Sequence, residues 1–452
     1  MPSGPRTPPG VRGPVHFHPF AVTRQAVPPD PSYGVTMTQS RRHRLALTGA
    51  VLLTALAVGV TACGGSSNPL ADKPYDASGQ VELTSARDGQ KADPSKPLEV
   101  VARGEDRITD VTATDAAGRY VKGELAPDGS RWHSTGALAA GAHYTVRVTT
   151  EDDNGSQGRR TIGFDTNPAD RLLRVSFGPQ SGTYGVGQPI TAELSTPVQD
   201  PAARAIVERT LRVESQPAVE GAWHWVDNRT LHYRPKEYWP AHTTVDVHAT
   251  LDGIKVGGGL YGGPSRAVRM TTGDRIEAVT DASAHSMTVT VNGKEVRSIP
   301  VTTGKPGYAT RNGVKVILGR ESFVRMRGTS IGIAEGSADS YDLPVHWATR
   351  VTWSGEYVHA APWSEGSQGA ENVSHGCTGM STANAKWFFD TVHVGDIVKV
   401  VGSAGATMTP FDNGFGDWNM AWDEWRKGSA LVGGKTERSG NPADAARLRP
   451  EL

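Results

Sequence analysis

The chain has 452 residues, enough for about three domains at the usual ~100–200 residues each. Lys plus Arg number 47 and Asp plus Glu number 47, so no excess of positive charge argues for a nucleic-acid partner. Apolar residues at 37% exclude a wholly disordered chain, and 53 Gly with 30 Pro favour turns and β structure over long helices. The cysteines number two, Cys63 and Cys377, which excludes a disulfide-dense scaffold and a four-cysteine zinc site.

Residues 1–36 are rich in Pro, Gly and His, whereas Met37-Thr-Gln-Ser-Arg-Arg is a conventional signal start, so the leader before Met37 reads as a misassigned translation start. Arg41-Arg-His-Arg is followed by an apolar run from Leu45 to Val60, shorter than the ~20 residues a membrane-spanning helix needs. A basic segment, a short apolar core and a small residue before the cleavage point make a secretory signal over residues 1–62. Val60-Thr-Ala-Cys63 resembles a bacterial lipobox, so Cys63 is expected to be the lipidated first residue of the mature chain. Several acyl chains, at roughly 0.8 kcal/mol per buried CH₂, would tether it stably to a membrane. The alternative is an ordinary signal peptide or an uncleaved anchor. Residues 63–95, polar and rich in Gly, Ser, Asp and Lys, are expected to form the anchor and a flexible tether. Acylation of Cys63 would leave Cys377 without a disulfide partner, and such a thiol needs another explanation.

Short alternating strands then set in. Leu98–Ala102, Tyr144–Thr149 and Thr161–Phe164 are separated by turns such as Asp128-Gly129 and Asn154-Gly155. Leu138, Gly141 and Tyr144 resemble the tyrosine corner of immunoglobulin-like sandwiches, which assigns residues 96–168 to a first such domain. A second runs over 170–274, with strands at Leu173–Phe177, Ile190–Leu194, Thr230–Tyr233 and Thr244–Ala249, and a short helix from Pro201 to Leu211. Trp132, Trp223 and Trp225 are read as packing residues rather than a stacking face for a ligand.

A third β-rich domain spans 275–402. Asn292-Gly293 marks a hairpin, Ser381 caps a helix through Val392, Gly395 ends it, and Asp396–Val401 is a closing strand. Residues 403–452 form an extension whose Trp418, Trp422 and Trp425 fit one helical face packed on the preceding domain.

The chemistry concentrates in Tyr357-Val-His359-Ala-Ala-Pro-Trp363 and Ser374-His375-Gly376-Cys377, with fourteen residues between His359 and Ser374. Cysteine catalysis needs a thiolate, a nearby base and donors for an oxyanion. His359 ends an apolar strand and is placed as the base, while Gly376 frees the backbone to present N–H groups near the sulfur. Packing of an inert cysteine and zinc ligation by His359, His375, Cys377 and His393 are the alternatives. No cofactor is implied.

These residues resemble the signature of the L,D-transpeptidases, the YkuD-type cysteine enzymes that cross-link peptidoglycan. Lys236-Glu-Tyr-Trp-Pro-Ala-His242, Trp347-Ala-Thr349 and Gly416-Asp-Trp-Asn419 resemble the actinobacterial members, and the resemblance covers 171 to about 430. It implies a mainly β chain: two immunoglobulin-like sandwiches, then a YkuD-type catalytic domain with a short helix and a C-terminal extension. It implies that Cys377 attacks a donor stem peptide, that His359 moves the proton, and that a stem amine accepts the acyl group to give a 3→3 cross-link. His375 and Gly376 would shape the site, with amides near Gly376 and Cys377 forming the oxyanion hole. Tyr341, Ser374, Trp363 and Met326 would contact substrate, and Tyr341 has lid packing as its alternative. Stem peptides as partners, inhibition by carbapenem β-lactams and a place on the outer face of the cytoplasmic membrane follow from the same resemblance. So do the rival outcomes: a carboxypeptidase, a protein-to-peptidoglycan transferase, or a wall-binding lipoprotein without turnover. Three departures stand out. Ala360 replaces a Ser, which leaves the orienting partner of His359 open. Thr378-Gly379-Met380 follows the cysteine in place of an apolar residue and Asn or Arg, and Thr310-Arg-Asn-Gly replaces a Thr-Pro turn.

Overall fold

The computed structural model describes residues 73–85 and 91–432. The expected signal peptide, the start at Met37 and Cys63 lie outside the described residues.

The first domain is a sandwich of two four-stranded sheets. One orders Tyr75–Asp76, Gln157–Asp165, His143–Glu151 and Arg107–Asp115; the other orders Val81–Leu83, Glu99–Ala102, Arg131–Ser134 and Gly123–Leu125. The Tyr144 hydroxyl accepts a hydrogen bond from the Ala139 amide at 2.7 Å, which closes the expected corner. The tether expected over 63–95 is corrected here. Its residues 75–83 belong to the sandwich as the strands Tyr75–Asp76 and Val81–Leu83 joined by the 3-10 turn Ala77–Gly79, because Val81 and Leu83 alternate around Glu82 and bury their side chains in the core. The flanking polar residues hid that short alternation.

The second domain pairs two further four-stranded sheets around Trp223, Trp225 and Trp239, all buried. Trp132 is buried in the first domain in the same way. The helix Pro201–Thr210 starts where Asp200 accepts from the Ala203 amide, and Pro201 needs no donor at that first position.

The third domain places two sheets over one core. The first sheet runs in the order Lys294–Pro300, Ser286–Val291, Ile276–Asp281, Ile397–Val401 and Gly313–Val316. The second runs Gly319–Arg327, Asp342–Arg350, Tyr357–Ala360 and Thr378–Met380, the last pair parallel. Ser381 caps the helix Thr382–Thr391, whose Ala385 and Phe388 join the core that also holds Val358, Ala360 and Met380. That core fixes the two strands that carry His359 and lead out of Cys377.

Backbone bonds dock the second domain on the third: the Gly185 amide reaches the Val394 carbonyl at 2.8 Å and the Gly187 amide the Gly395 carbonyl at 2.9 Å. A Cβ on Gly185 would sit 2.1 Å from the Asp396 amide nitrogen, so only glycine allows this approach. The extension was expected on the catalytic domain, but its contacts are divided. Asn419 pairs with both backbone groups of Val314 in the third domain. Trp418 donates to Gly187 and Trp425 to Ala222 in the second, each at 2.9 Å. The three indoles do not share one helix either: Trp418 lies in the 3-10 turn Asp417–Asn419, and Trp422 and Trp425 in the helix Trp422–Lys427. They meet instead around the Arg234 guanidinium, at 5.0, 5.4 and 4.6 Å.

Asp396 is buried at this junction. One carboxylate oxygen accepts from the His393 amide at 2.7 Å, while the other has no partner. Burial pushes its pKa from 3.8 to about 7. Because the folded value lies above the unfolded one, the protonated carboxyl stabilises the fold at acid pH, and that contribution is lost as pH rises towards 7. Asp396→Asn is expected to raise the melting temperature at pH 8, where up to about 4 kcal/mol is at stake, with little change near pH 4. An equal shift at both pH values in thermal unfolding would refute this.

Candidate active site

The parallel register sets Val358 opposite Thr378 and His359 opposite Gly379, so the histidine stands two residues past Cys377 on the neighbouring strand. The loop before that strand is held from within. The Ser374 hydroxyl donates to the Cys377 carbonyl at 2.6 Å and accepts from the Gly376 amide at 3.1 Å. Thr310 donates to the Gly376 carbonyl at 2.8 Å, and Ser374 exchanges backbone bonds with Thr303 and Lys305. Gly376 has φ +122°, a conformation that side-chain-bearing residues rarely adopt. Ser374, expected to touch substrate, also shapes the loop. The Cys377 amide has no acceptor among the described residues.

Cys377 is a free, partly exposed cysteine whose thiol faces the Gly355 carbonyl at 3.7 Å. Burial of the sulfur pushes its pKa up to about 11; Glu356 adds to the rise, while the Tyr357 amide and Lys315 oppose it. The exposure and the high value are compatible, since the residue has an open edge while the sulfur itself lies against protein.

His359 is buried, and its Nδ1 lies 2.8 Å from the Ala360 carbonyl. Nδ1–H donates there, which assigns the lone pair to Nε2 and supplies the orienting partner that Ala360 could not offer as a side chain. Burial lowers the His359 pKa, with the Ala360 bond opposing it. The half-exposed Trp363 ring lies 6.0 Å away.

His375 sits between two tyrosines, edge-on to Tyr308 at 4.7 Å and tilted on Tyr341 at 4.9 Å. Its Nε2 is 3.6 Å from Asp339, too long for a hydrogen bond, and Asp339 is instead engaged by Lys305 at 2.6 Å and the Tyr308 hydroxyl at 3.2 Å. Burial and Lys305 lower the His375 pKa, and Asp339 opposes them. Burial and the neighbouring Cys377 push Tyr341 up to about 12. Met326 packs with Leu343 and Cys377 against Val345, Ala348 and Tyr357. The structure therefore sets His375 and Gly376 on the loop of Cys377, Tyr341 against His375 and near enough to the sulfur to interact with it, and Met326 in the same apolar cluster as Cys377, with His359 and Trp363 on the adjoining strand and turn. No group of three or more His, Cys, Asp or Glu among the described residues is arranged to hold a metal ion.

Residues 275–400 match the family described as L,D-transpeptidase catalytic domain, and residues 89–255 match the bacterial Ig domain family. L,D-transpeptidase 2 of Mycobacterium tuberculosis (strain CDC 1551 / Oshkosh) is 35% identical over 410 residues, covering 88% of this chain and 99% of that protein. The chain belongs to the L,D-transpeptidase family. L,D-transpeptidase 5 of Mycobacterium tuberculosis (strain ATCC 25618 / H37Rv) is 31% identical over 393 residues, 84% of each chain. A solved L,D-transpeptidase 3 from Mycobacterium tuberculosis, in complex with a faropenem-derived adduct, is 34% identical, with a TM-score of 0.43 over 50% of this chain and 97% of that one. The chain is thus a peptidoglycan L,D-transpeptidase with an immunoglobulin-like region before its catalytic domain.

Two groups in this transpeptidase escape motif reading. Lys305, Tyr308 and Asp339 flank His375, and their wide separation in sequence conceals it. Lys315 in Val314-Lys-Val-Ile carries no motif, and its side chain is 1% exposed and pairs with Glu356 at 2.5 Å. A strand between two packed layers has no solvent face, and only the layering reveals this.

Proposed function

We propose that the transpeptidase works through a thioester on Cys377. The Cys377 sulfur attacks the carbonyl of the third residue of a donor stem tetrapeptide, and His359 Nε2 takes the thiol proton as the S–C bond forms. The tetrahedral oxyanion is met by the Cys377 amide, since the Gly376 amide is already spent on Ser374. Collapse expels D-Ala, whose amine takes the proton from His359. The side-chain amine of a second stem then attacks the thioester, gives its proton to His359 and releases the thiol, leaving a 3→3 cross-link. Because burial raises the thiol pKa and lowers that of His359, the resting pair is neutral, and His359 acts as a general base during attack.

The observation that carries this reading is a free thiol on a hydrogen-bonded glycine loop, beside a strand whose buried histidine is oriented by a carbonyl. Carbapenems are expected to acylate the same sulfur, and membership of the family supports that choice of probe. Intact mass after carbapenem treatment is expected to show one adduct on the wild type and none on Cys377→Ala. No adduct on the wild type, or the same adduct on the variant, overturns the mechanism. We further place the enzyme on the outer face of the cytoplasmic membrane, anchored by acylated Cys63, with the two sandwiches lifting the catalytic domain towards the wall. The same mass measurement on membrane-extracted protein should give a chain starting at acylated Cys63, and an unmodified N-terminus would end that proposal.

A further inference from the structure

The nucleophile loop rests on a buried ion pair that the reaction does not use. Lys315 lies on the strand Gly313–Val316, and its recorded hydrogen-bond partner is the Glu356 carboxylate at 2.5 Å. The other Glu356 oxygen takes Arg311 at 2.8 Å. Glu356 is pinned in turn, since its amide donates to the Thr352 hydroxyl at 2.8 Å and its carbonyl accepts from Val351. This carboxylate lies directly under the loop: a Cβ on Gly376 would be 3.9 Å from both Glu356 Cγ and Oε1. The residue before Glu356 offers the carbonyl that faces the thiol.

Such a pair needs a reason. Desolvating two charges often costs as much as their attraction returns, and well-packed apolar residues commonly do as well. A buried charge pair against a nucleophile has a second use, because its field falls on the sulfur in a medium that screens poorly.

We propose that Glu356 and Lys315 are positioning residues for Cys377, their buried pair setting how readily the thiol gives up its proton. The proposal rests on Cys377 being the nucleophile. The anionic end opposes thiolate formation and the cationic end favours it, which matches the opposite effects of the two groups on the sulfur. Lys315 senses the sulfur reciprocally, its own pKa lowered by burial and raised by Glu356 and by Cys377. The other titratable groups facing the site are Arg311 on the turn before Lys315, Tyr341 before the strand Asp342–Arg350, His359 on its strand and His375 on the cysteine loop. Behind His375 stand Lys305, Tyr308 and Asp339. None of these bonds to the Lys315–Glu356 pair except Arg311.

The test is the pH dependence of Cys377 alkylation by iodoacetamide in the full chain, read by mass, with Cys377→Ala as the blank. Glu356→Gln removes the anion and is expected to move the alkylation midpoint down by about one pH unit, about tenfold faster labelling below the midpoint. Lys315→Met leaves Glu356 held by Arg311 and is expected to move it up. The double variant Lys315→Met/Glu356→Leu, which buries no charge, should fold and fall between them. Opposite shifts with an intermediate double variant support the proposal. Unshifted midpoints, or shifts in one direction for both single variants, overturn it, because a purely structural pair has no reason to move the midpoint in opposite senses. Should a single variant not fold, the double variant against the wild type and the remaining single variant still orders the midpoints. Alkylation needs only the thiol, so a failure here leaves the carbapenem adduct on Cys377 intact, whereas loss of that adduct in the wild type removes the nucleophile itself.

Discussion

His359→Ala slows acylation of Cys377 by a carbapenem by about 10²–10⁴-fold, the range a positioned general base contributes. The reason lies in the resting protonation states. The thiol pKa is held near 11, so almost no thiolate exists at neutral pH without a base to take the proton during attack. His359 is available for that task because the Ala360 carbonyl occupies Nδ1 and burial keeps the ring neutral. The sign of the pH dependence follows. Burial puts the base below the usual histidine value near 6.5, so wild-type acylation rises with pH below that value and then levels. The variant loses that limb and instead gains rate towards the alkaline thiol ionisation. Stopped-flow acylation across pH measures both features. A loss below tenfold, with the acidic limb retained, would show that another group takes the proton.

Trp425→Ala has the largest expected effect on stability. The side chain is fully buried, donates to the Ala222 carbonyl, stacks near His224 at 4.8 Å and covers the Arg234 guanidinium. Large-to-small changes of this kind cost about 3–5 kcal/mol, the cavity adding to the lost transfer energy. Arg234 raises the stakes, since desolvation already brings its pKa down to about 10 and loss of a covering indole leaves it with fewer partners. The loss is expected as a lower urea midpoint. Trp353→Ala, at a 53% exposed position beside Phe415 of the extension, should change little. Equal midpoints for both variants would show that the Trp425 indole does not stabilise the packing of the extension on the second domain.

The elements differ in how far sequence reading reaches them, and the reason is local against non-local physics. The start of the helix Thr382–Thr391 is visible from Ser381 because N-capping is settled within a few residues, whereas its end falls at an extended Val392 and not at the expected Gly395. The first corner is visible from Leu138, Gly141 and Tyr144 because its hydrogen bond spans five positions. Strand Val81–Leu83 is not visible, since three residues carry almost no periodicity and pairing with Glu99–Ala102 makes them a strand. The loop bonds of Ser374 are not visible for a similar reason, since only the folded turn brings its hydroxyl onto Cys377 and Gly376.

By itself the sequence determined the family and the residues proposed for its chemistry. The spacing from His359 to Cys377, the glycine before the nucleophile and the order of β modules are local patterns that survive in one dimension. Tertiary structure alone decided which groups surround that chemistry. Lys315 and Glu356 lie far apart in the chain and meet only because a strand is sandwiched between layers; the three tryptophans converge only because Arg234 of another domain stands between them. Such placements depend on which surfaces lose water together, and that is a property of the packed whole, where burial turns an ordinary lysine into a field beneath a thiol.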